Sequence, residues 1–318
     1  MDELARQAKV YFYGPGFSGY DIKDSIEDVL VKTPFDPDAI VIGHRWIFDD
    51  GEKVDPHPNL KLKKTSIPKV VILNKEYRCL DAKLDYIKKN DFDMAFTHHH
   101  DVDRYSEITG IEFTFWPFAF DHRSFSYDGE KKTIDVAFSG VLQNLKKNAN
   151  QSDIRAMIMK NFFYTIFDVP VSKRKAFKDI EIFWNSISRN KIGRYLSKIL
   201  NKRMYLSPDN YAEMMRKTKI YINTLSPMGL ISPRFFENMA SKSLVFCEES
   251  LLYQSIFPDD IYISFNRNLD DFEEILFLIL SDELRRNQIT DKAYKFVHAN
   301  HTWSERVSLL LNKISPYS

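Results

Sequence analysis

Short apolar runs alternate with amphipathic stretches along the whole chain, a pattern typical of an α/β protein with parallel strands. The apolar runs predict strands at residues 9–13, 39–43, 69–74, 93–96, 111–116, 133–140, 219–224 and 243–248. The amphipathic stretches predict helices at residues 21–32, 81–89, 101–109, 146–163, 177–202, from Ser207 or Asp209 onward, 232–241, and in series over 269–314. The strand at 133–140 opens a second α/β unit.

Chain length and one turn-rich stretch predict two domains. With 318 residues the chain exceeds the size of a usual single core, so domains of roughly 150 residues each are expected. Residues 117–132 are mixed and rich in turn formers, and we interpret them as the linker. The predicted domains are residues 1–125 and 126–318.

Composition excludes several classes of protein. A formal net charge of +1 gives no general attraction to nucleic acid. Cys79 and Cys247 are the two cysteines and lie far apart, which argues against a disulfide framework or a zinc site and suits a reducing compartment. The N-terminus lacks a secretory pattern, and no apolar run reaches the roughly 18 residues that a membrane helix needs. We therefore expect a cytoplasmic protein.

The most informative segment is YINTLSPMGLISPRFFENMASKSLVFCEES, residues 221–250. It predicts a strand, a loop with Gly229 and a helix that begins near Ser232, whose free N–H groups form an anion site. Arg234 in the first turn is unfavourable unless an anion lies nearby. Glu237, one turn later, could accept hydrogen bonds from ribose hydroxyls. An ordinary ion pair with Arg234 is the alternative.

Several segments together carry a resemblance to a known family. They are FWPFAFD (115–121), IDVAFSG (134–140), MRKTKIYINT (215–224), SPRFFENMASKSLVF (232–246) and HTWSERVSLLL (301–311). They resemble the group 1 glycosyltransferases of GT-B fold, in particular the spore-maturation-protein-like branch. The resemblance implies an α/β protein with two Rossmann-like domains facing across a cleft, with the C-terminal helices packing back toward the N-terminal domain. It also implies a nucleotide diphosphate sugar as co-substrate, and no metal.

The resemblance further assigns roles to residues of the C-terminal half. Glu237 matches the glutamate that binds the nucleotide ribose, and Ser207 lies in the region that borders the base. The residues implied to hold the donor diphosphate or sugar are Ser139, Gly140, Lys146, Gly229, Ser232 and Arg234. The chain departs from the pattern at Gly229, where many relatives carry a second glutamate. This departure leaves the sugar and the stereochemistry open.

The loop GPGFSGY, residues 14–20, precedes a predicted helix in the N-terminal half. Its glycine spacing fits G-x-G-x-x-G, but His44 rather than an acidic residue follows the second strand, so a dinucleotide-binding fold is not expected. The resemblance implies that Gly16 and Ser18 approach the donor phosphates or the acceptor, since small residues let the backbone come close. A plain tight turn is the alternative.

Three consecutive histidines follow a predicted strand in FTHHHDVDRY, residues 96–105. On an extended chain His98 and His100 share a face while His99 points away, so one metal ion cannot bind all three. The carboxyl edge of a parallel sheet binds ligands, so we predict that His98, His100 or Asp101 contacts the sugar or acceptor, or acts as a base. Glu76, after the neighbouring strand, is a rival base. Alternatively, His99 or Asp101 only caps the next helix.

The resemblance implies a glycosyltransferase that moves a sugar from a nucleotide diphosphate to an acceptor hydroxyl, in surface glycan or polysaccharide synthesis. The resemblance favours retention of anomeric configuration; an inverting enzyme would need one of the bases above. A glycan or lipid-linked acceptor is expected, and lysine clusters at 61–64, 146–147 and 173–175 leave peripheral association with the inner face of the membrane open. The alternatives are an inactive binding or assembly protein of this fold and a sugar-nucleotide epimerase.

Overall fold

The structure is a computed structural model that describes residues 2–43, 59–76, 79–141, 154–166, 169–172, 182–187, 206–226 and 229–317. The chain divides into two compact units. Unit 1 contains Met1–Pro117 and Trp303–Ser318, and unit 2 contains Phe118–Thr302. The first division point lies within the predicted linker, and the C-terminal segment belongs to unit 1.

The elements are short strands separated by helices. The strands are β1 (Ile40–Ile42), β2 (Lys69–Leu73), β3 (Met94–Thr97), β4 (Glu112–Phe115), β5 (Ile134–Val141), β6 (Phe163–Ile166), β7 (Val169–Ser172), β8 (Ile182–Ile187), β9 (Thr218–Asn223), β10 (Leu244–Glu248) and β11 (Ile263–Phe265). The helices are α1 (Asp2–Gln7), α2 (Ile26–Lys32), α3 (Leu80–Lys89), α4 (Val102–Thr109), α5 (Ile154–Phe162), α6 (Pro208–Lys217), α7 (Pro233–Ala240), α8 (Phe272–Ser281), α9 (Glu283–Asn300) and α10 (Trp303–Ile314).

Unit 1 is built on a four-stranded parallel sheet with strand order β1-β2-β3-β4. The central strands are apolar runs because both faces of a parallel sheet are covered by other elements. Val70, Val71, Ala95 and Phe96 accordingly expose no surface. Since all four strands run in one direction, the residues that follow β2 and β3 lie at the same edge of the sheet.

Unit 2 is built on a five-stranded parallel sheet with strand order β11-β10-β9-β5-β8. Every residue of β10 is buried, including Glu248 at its end. Helix α8 packs Phe272, Leu276 and Ile279 into the core of this unit. The carboxyl ends of β5, β9 and β10 meet at one edge, where open α/β sheets bind their ligands.

The last helix, α10, packs in unit 1 beside the end of β4. Trp116 Nε1 donates a hydrogen bond to Arg306 O at 3.0 Å, and Arg306 Nε donates to Pro117 O at 2.6 Å. The ring of Trp303 lies edge-on to that of Trp116, with 6.1 Å between centroids. These contacts tie the end of the chain to the sheet of unit 1. Within the described ranges, no helix has the length and apolar character that crossing a membrane requires.

Most predicted strands and helices are confirmed within a few residues, but residues 9–13 do not form the predicted strand. Their aromatic side chains pack locally instead. Phe12 stacks on Phe17 with 5.5 Å between ring centroids, and Tyr13 contacts Tyr20 at 5.2 Å. Packing against the following loop therefore replaces the strand pairing that the apolar run indicated.

The predicted helix at 177–202 was wrong where the structure describes it, because residues 182–187 form β8 beside β5. This run, IFWNSI, is rich in β-branched and aromatic residues, which favour a strand. The rest of the range 177–202 lies outside the described residues. The start of the predicted helix 146–163 also lies outside them, and α5 confirms its later part. The short strands β6, β7 and β11 escaped prediction because three or four residues show no clear periodicity.

Leu276→Ala should lower the free energy of unfolding of unit 2 by about 2–5 kcal/mol, because this fully buried leucine would leave a cavity in the core. Leu278→Ala, on the same helix with 54% of the residue exposed, should change it by less than about 0.5 kcal/mol. Chemical denaturation of both variants measures the difference. Equal effects would contradict the orientation of α8.

Candidate functional site

Helix α7 and strand β5 meet through the side chain of Arg234. Pro233 suits the first position of α7, where its missing N–H needs no partner. Arg234 follows it, and its Nη1 donates a hydrogen bond to Ser139 O in β5. Gly140 makes this contact possible, since a Cβ at that position would lie 2.6 Å from Arg234 Nη1. The structure thus brings Ser139, Gly140 and Arg234 together.

Glu237 lies one turn further along α7 and is half-buried. Its Oε2 accepts a hydrogen bond from Tyr211 OH of α6 at 3.3 Å. Burial raises the pKa of Glu237 to about 7, although the Arg234 guanidinium and the Tyr211 hydrogen bond both lower it. Arg234 and Glu237 each bond to another group, so α7 does not use the simple i,i+3 ion pair considered as an alternative.

Tyr221 of β9 completes this group of side chains. It is fully buried, and its hydroxyl forms a hydrogen bond with Ser139 Oγ. Burial raises the pKa of Tyr221 to about 12, and burial also raises the pKa of Tyr211. Both phenols therefore stay protonated near neutral pH and can donate hydrogen bonds. We call this group the strand-end cluster: Ser139, Tyr211, Tyr221, Arg234 and Glu237.

The start of α7 carries several polar groups of a kind that binds anions. Ser232 is the N-cap residue, but its buried Oγ has no hydrogen-bond partner within the described part of the chain. Gly229, in the preceding loop, has a φ of 74°, which favours glycine, and its N–H donates to Ser226 O at 2.9 Å. The N–H groups of a first helical turn, an unpaired hydroxyl and the Arg234 guanidinium together suit an anion.

The remaining residues predicted to bind the donor lie on other elements. Ser207, the first of the two predicted starts of this helix, is the N-cap residue of α6, and its Oγ accepts from Asn210 N at 3.2 Å. Gly16 and Ser18 lie in an exposed loop of unit 1, where Gly16 has a φ of 95°. Lys146 lies outside the described residues.

A second buried polar group, at the ends of β9 and β10, was not predicted. Glu248 is 2% exposed; its Oε1 accepts from Leu225 N at 3.0 Å and its Oε2 from Tyr253 OH at 3.1 Å. Burial raises the pKa of Glu248. Arg155 Nε donates to Thr224 Oγ1 at 2.5 Å. These contacts hold the start of the loop that leads from β9 to α7. The sequence signal that could have located this group is an acidic residue, Glu248, at the end of an apolar run.

In unit 1, Glu76 lies at the carboxyl edge of the sheet, after β2, and is 4% exposed. Its Oε1 accepts a hydrogen bond from Thr97 Oγ1, whereas its buried Oε2 has no partner among the described residues. Lys83 fixes the loop that carries it, since its Nζ donates to Asn74 O at 2.8 Å and to Lys75 O at 3.1 Å. A buried oxygen without a partner is costly, so a ligand hydroxyl would be stabilised there.

The three histidines occupy three different environments. His98 is buried, with its Nδ1 2.7 Å from Trp116 O and its ring stacked on that of Trp116. His99 Nδ1 accepts from Asp101 N at 3.2 Å, and its ring stacks on His100 with 4.3 Å between centroids. His99 does not point away from His100, as was expected for an extended chain. Strand β3 ends before His98, so the alternation of an extended chain does not continue.

Asp101 and His100 lie further along the same edge of unit 1. Asp101 occupies the N-cap position of α4, but its side chain pairs with Arg104 Nη1 at 3.4 Å instead of capping the helix. Desolvation of the ring and the neighbouring His99 lower the pKa of His100. Across the described ranges, no three His, Cys, Asp or Glu side chains are grouped so that they could hold a metal ion.

Sequence comparison identifies one family match, in the second half of the chain. Residues 178–312 match the family described as glycosyl transferase-like. No curated protein matches the sequence of this chain. The matched range includes Arg234 and Glu237 but not the residues of β5. The similarity to glycosyl transferase-like proteins therefore includes the part of the strand-end cluster that carries Arg234 and Glu237, but not Ser139 of β5.

Solved structures share the fold at low sequence identity. A sucrose-phosphate synthase from Thermosynechococcus elongatus has a TM-score of 0.58 and 8% identity, over 92% of this chain and 77% of that chain. An alpha-glucosyltransferase with UDP-glucose and DNA containing an abasic site has a TM-score of 0.56 and 15% identity, over 87% and 80%. Anabaena HepE with UDP has a TM-score of 0.51 and 9% identity, over 78% and 72%.

Other similar structures are longer than this chain. The match covers 55% of the chain in the GtfA/B complex and 54% of TarM, so this protein spans about half of their length. What all of these similarities establish is the fold. The chain has the GT-B fold of glycosyltransferases, with a parallel α/β sheet in each unit, which confirms the predicted fold class.

Gly140→Ala should displace the Arg234 side chain, because the new Cβ would lie 2.6 Å from Arg234 Nη1. We expect a loss of about 1–3 kcal/mol in the free energy of unfolding, and a clearly smaller loss in an Arg234→Ala background, where the clash with the guanidinium is absent. Gly43→Ala, with no atom within 4 Å of its Cβ, is the matched control. Additive effects in the double-mutant cycle would contradict the contact.

Proposed function

We propose that this protein is a glycosyltransferase that moves a sugar from a nucleotide diphosphate sugar to an acceptor hydroxyl. The observation that carries the proposal is the strand-end cluster, which places a carboxyl group and a guanidinium at the start of a helix in a GT-B unit. The family match over residues 178–312 supports it, as do the structures of similar fold that hold UDP or UDP-glucose.

Unit 2 binds the nucleotide in this proposal. The ribose hydroxyls donate to the Glu237 carboxylate, and the diphosphate lies at the start of α7 against Arg234 and Ser232. As the sugar leaves, negative charge grows on the diphosphate, and a guanidinium together with helix N–H groups stabilises it. The hydrogen bond to Ser139 O holds Arg234 in place before the donor arrives. Gly140 leaves the space that this arrangement needs.

The other donor-binding residues keep their expected roles within the proposal. Ser207 borders the base, Lys146 adds a cation near the diphosphate, and Gly229 lets the loop approach the sugar. Arg234 and the N-terminal end of α7 stabilise the negative charge on the departing diphosphate, so the proposal assigns no step to a metal ion.

Unit 1 binds the acceptor in this proposal. Glu76 is the strongest candidate for contact with the acceptor hydroxyl, since Thr97 holds one of its oxygens and the other is buried without a partner among the described residues. His98, fixed by Trp116 O, is a candidate for contact with the sugar. His100 and Asp101 are candidates for the outer part of the acceptor.

Stereochemistry, acceptor class and location are the finer parts of the proposal. We favour retention, supported by the group 1 motif, with the donor phosphate accepting the acceptor proton and Glu76 orienting the hydroxyl. With inversion, Glu76 would be the base. A glycan or lipid-linked acceptor, used in surface glycan synthesis at the inner face of a membrane, fits the lysine clusters of the sequence.

One observation favours a second candidate, a GT-B protein that binds a nucleotide sugar without transferring the sugar. Gly229 stands where many relatives carry a glutamate, so one carboxylate of the donor loop is absent. The two candidates differ in turnover. Release of nucleotide diphosphate from a bound nucleotide sugar supports the transferase, whereas binding without any release supports the second candidate.

Glu237→Ala should weaken nucleotide binding about tenfold or more, because hydrogen bonds from ribose hydroxyls to a charged carboxylate are lost. In a thermal-shift screen of UDP, GDP, TDP and CMP, one nucleotide should raise the Tm of the wild type, since binding stabilises the folded state. Glu213→Ala, which removes an exposed carboxylate of α6 paired with Lys217, is the control and should bind like the wild type. Unchanged binding by Glu237→Ala would contradict the assignment.

Glu76→Gln should leave nucleotide binding unchanged and slow the release of nucleotide diphosphate from the nucleotide sugar about tenfold or more. The reason is that a neutral amide orients a hydroxyl less well than a carboxylate does and, in an inverting reaction, cannot take up its proton. Glu112→Gln, at an exposed carboxylate of unit 1 paired with Lys313, is the matched control. Wild-type turnover in Glu76→Gln would remove Glu76 from the acceptor site.

A further inference from the structure

Tyr211 is held in one orientation from several sides. It lies near the start of α6, where Pro208 occupies the first turn and Ser207 O accepts the Tyr211 N–H at 2.9 Å. Its ring packs edge-on against Phe125, with 6.0 Å between centroids and 86° between planes. Its hydroxyl lies 3.3 Å from Glu237 Oε2. A side chain fixed in this way can hold its hydrogen-bond partner in place.

The partner of Tyr211 has one oxygen still available. Glu237 Oε2 accepts from Tyr211, while Oε1 has no hydrogen-bond donor in the part of the chain that the structure describes. A carboxylate offers about four lone-pair sites, so one tyrosine hydroxyl leaves room for ligand hydroxyls on both oxygens. The side chain is half-buried, which allows access from solvent.

Among the described residues, no other titratable group on α7 or on the elements packed against it donates a hydrogen bond to Glu237. Arg234 of α7 donates to Ser139 O, Tyr221 of β9 bonds to Ser139 Oγ, and Cys247 of β10 donates to Ile263 O. Tyr253, whose ring contacts Phe235, donates to Glu248 of β10, and His301, whose ring contacts Phe236, and His298 of α9 also lie beside α7. Of these groups, Arg234 also acts on Glu237, through its charge. Among the described residues, Tyr211 is therefore the one hydrogen-bond donor to the Glu237 carboxyl.

We propose that Tyr211 is a positioning residue, which holds the Glu237 carboxylate in the orientation that accepts the ribose hydroxyls of the donor. The inference deepens the proposed function and rests on it for the identity of the ligand. Tyr211 itself does not touch the reacting atoms. Its hydroxyl stays protonated because burial raises its pKa, so it can donate throughout the neutral range.

This role has a pH signature that simple packing lacks. Burial raises the pKa of Glu237 to about 7, and the Tyr211 hydrogen bond lowers it. Without the hydroxyl the pKa lies higher, and more of Glu237 is protonated near neutral pH. Because the folded-state pKa is above the ordinary value, the stability contributed by protonated Glu237 is present at low pH and is lost as pH rises through the folded-state pKa.

Tyr211→Phe tests the inference without a ligand, because it removes the hydroxyl and keeps the ring that packs on Phe125. We would measure stability against pH for the wild type and for Tyr211→Phe, each beside its Glu237→Gln counterpart. The difference within each pair reports the titration of Glu237 alone. Its midpoint should rise by about 0.5–1 pH unit in Tyr211→Phe. Tyr262→Phe, which removes a hydroxyl bonded to Asp259 Oδ1 at 3.2 Å, is the matched control and should titrate like the wild type.

Nucleotide binding is the second arm, with UDP-glucose, GDP-mannose and TDP-glucose as probes, whose diphosphates do not titrate near neutral pH. For the probe that binds, Tyr211→Phe should bind about three- to tenfold more weakly than the wild type at about pH 6. Near pH 8.5, where Glu237 is mostly ionised in both proteins, the part of the loss that comes from ionisation disappears, so the difference in affinity should be clearly smaller than at pH 6 and should reflect the lost orientation alone.

The outcomes separate the inference from the proposed function. An unchanged Glu237 titration in Tyr211→Phe would overturn the inference whether or not a nucleotide binds. A probe affinity equal to that of the wild type at every pH would also overturn it, because the hydroxyl would then have no effect on the Glu237 carboxylate that binds the ligand. A shifted titration combined with no binding of any probe, or with pH-independent binding, would support the Tyr211–Glu237 contact and overturn the role of Glu237 in the proposed function.

Discussion

The hydrogen bond from Arg234 to the carbonyl oxygen of Ser139 is the contact on which the candidate site depends. It keeps a cation in the first turn of α7, where the helix dipole disfavours one. The contact requires a glycine at position 140, because any side chain there would meet the guanidinium. With Arg234 bonded to Ser139 O, Glu237 accepts a hydrogen bond from Tyr211 instead of forming an ion pair with Arg234.

In both sheets, the free-energy cost of burying polar groups determines which contacts form at the ends of the strands. Parallel strands collect their carboxyl ends at one edge, and the polar residues that end apolar strands must find partners there. Glu248 satisfies both of its oxygens with Leu225 N and Tyr253 OH. Glu76 Oε2 and Ser232 Oγ remain buried without a partner among the described residues. A ligand gains most where the fold leaves such atoms unpaired, which is typical of functional rather than structural positions.

Elements that depend on the local sequence pattern were predicted correctly. Elements that depend on contacts between residues distant in the sequence were not. Apolar runs located the main strands, and Ser139, Gly140, Arg234 and Glu237 were recognised through motifs, although their roles stay predictions. Residues 9–13 failed as a strand because aromatic packing in the following loop competes with sheet pairing. Tyr211 and Tyr221 were not predicted as site residues, because no local sequence pattern indicates that a tyrosine hydroxyl will bond to a residue far away in the sequence.

Three buried or half-buried glutamates differ in how many of their oxygens accept a hydrogen bond within the described residues. Tyr253 donates to Glu248 as Tyr211 donates to Glu237, and burial raises the pKa of both carboxyl groups. The second oxygen of Glu248 accepts a hydrogen bond from Leu225 N, so both oxygens of Glu248 have partners and the residue holds the loop after β9. Glu237 and Glu76 each have one oxygen held by a hydroxyl and one without a partner in the described part of the chain. Each unit of the fold therefore contains a carboxyl group that the described part of the chain satisfies only in part, and these are the two carboxyl groups that the proposed function uses.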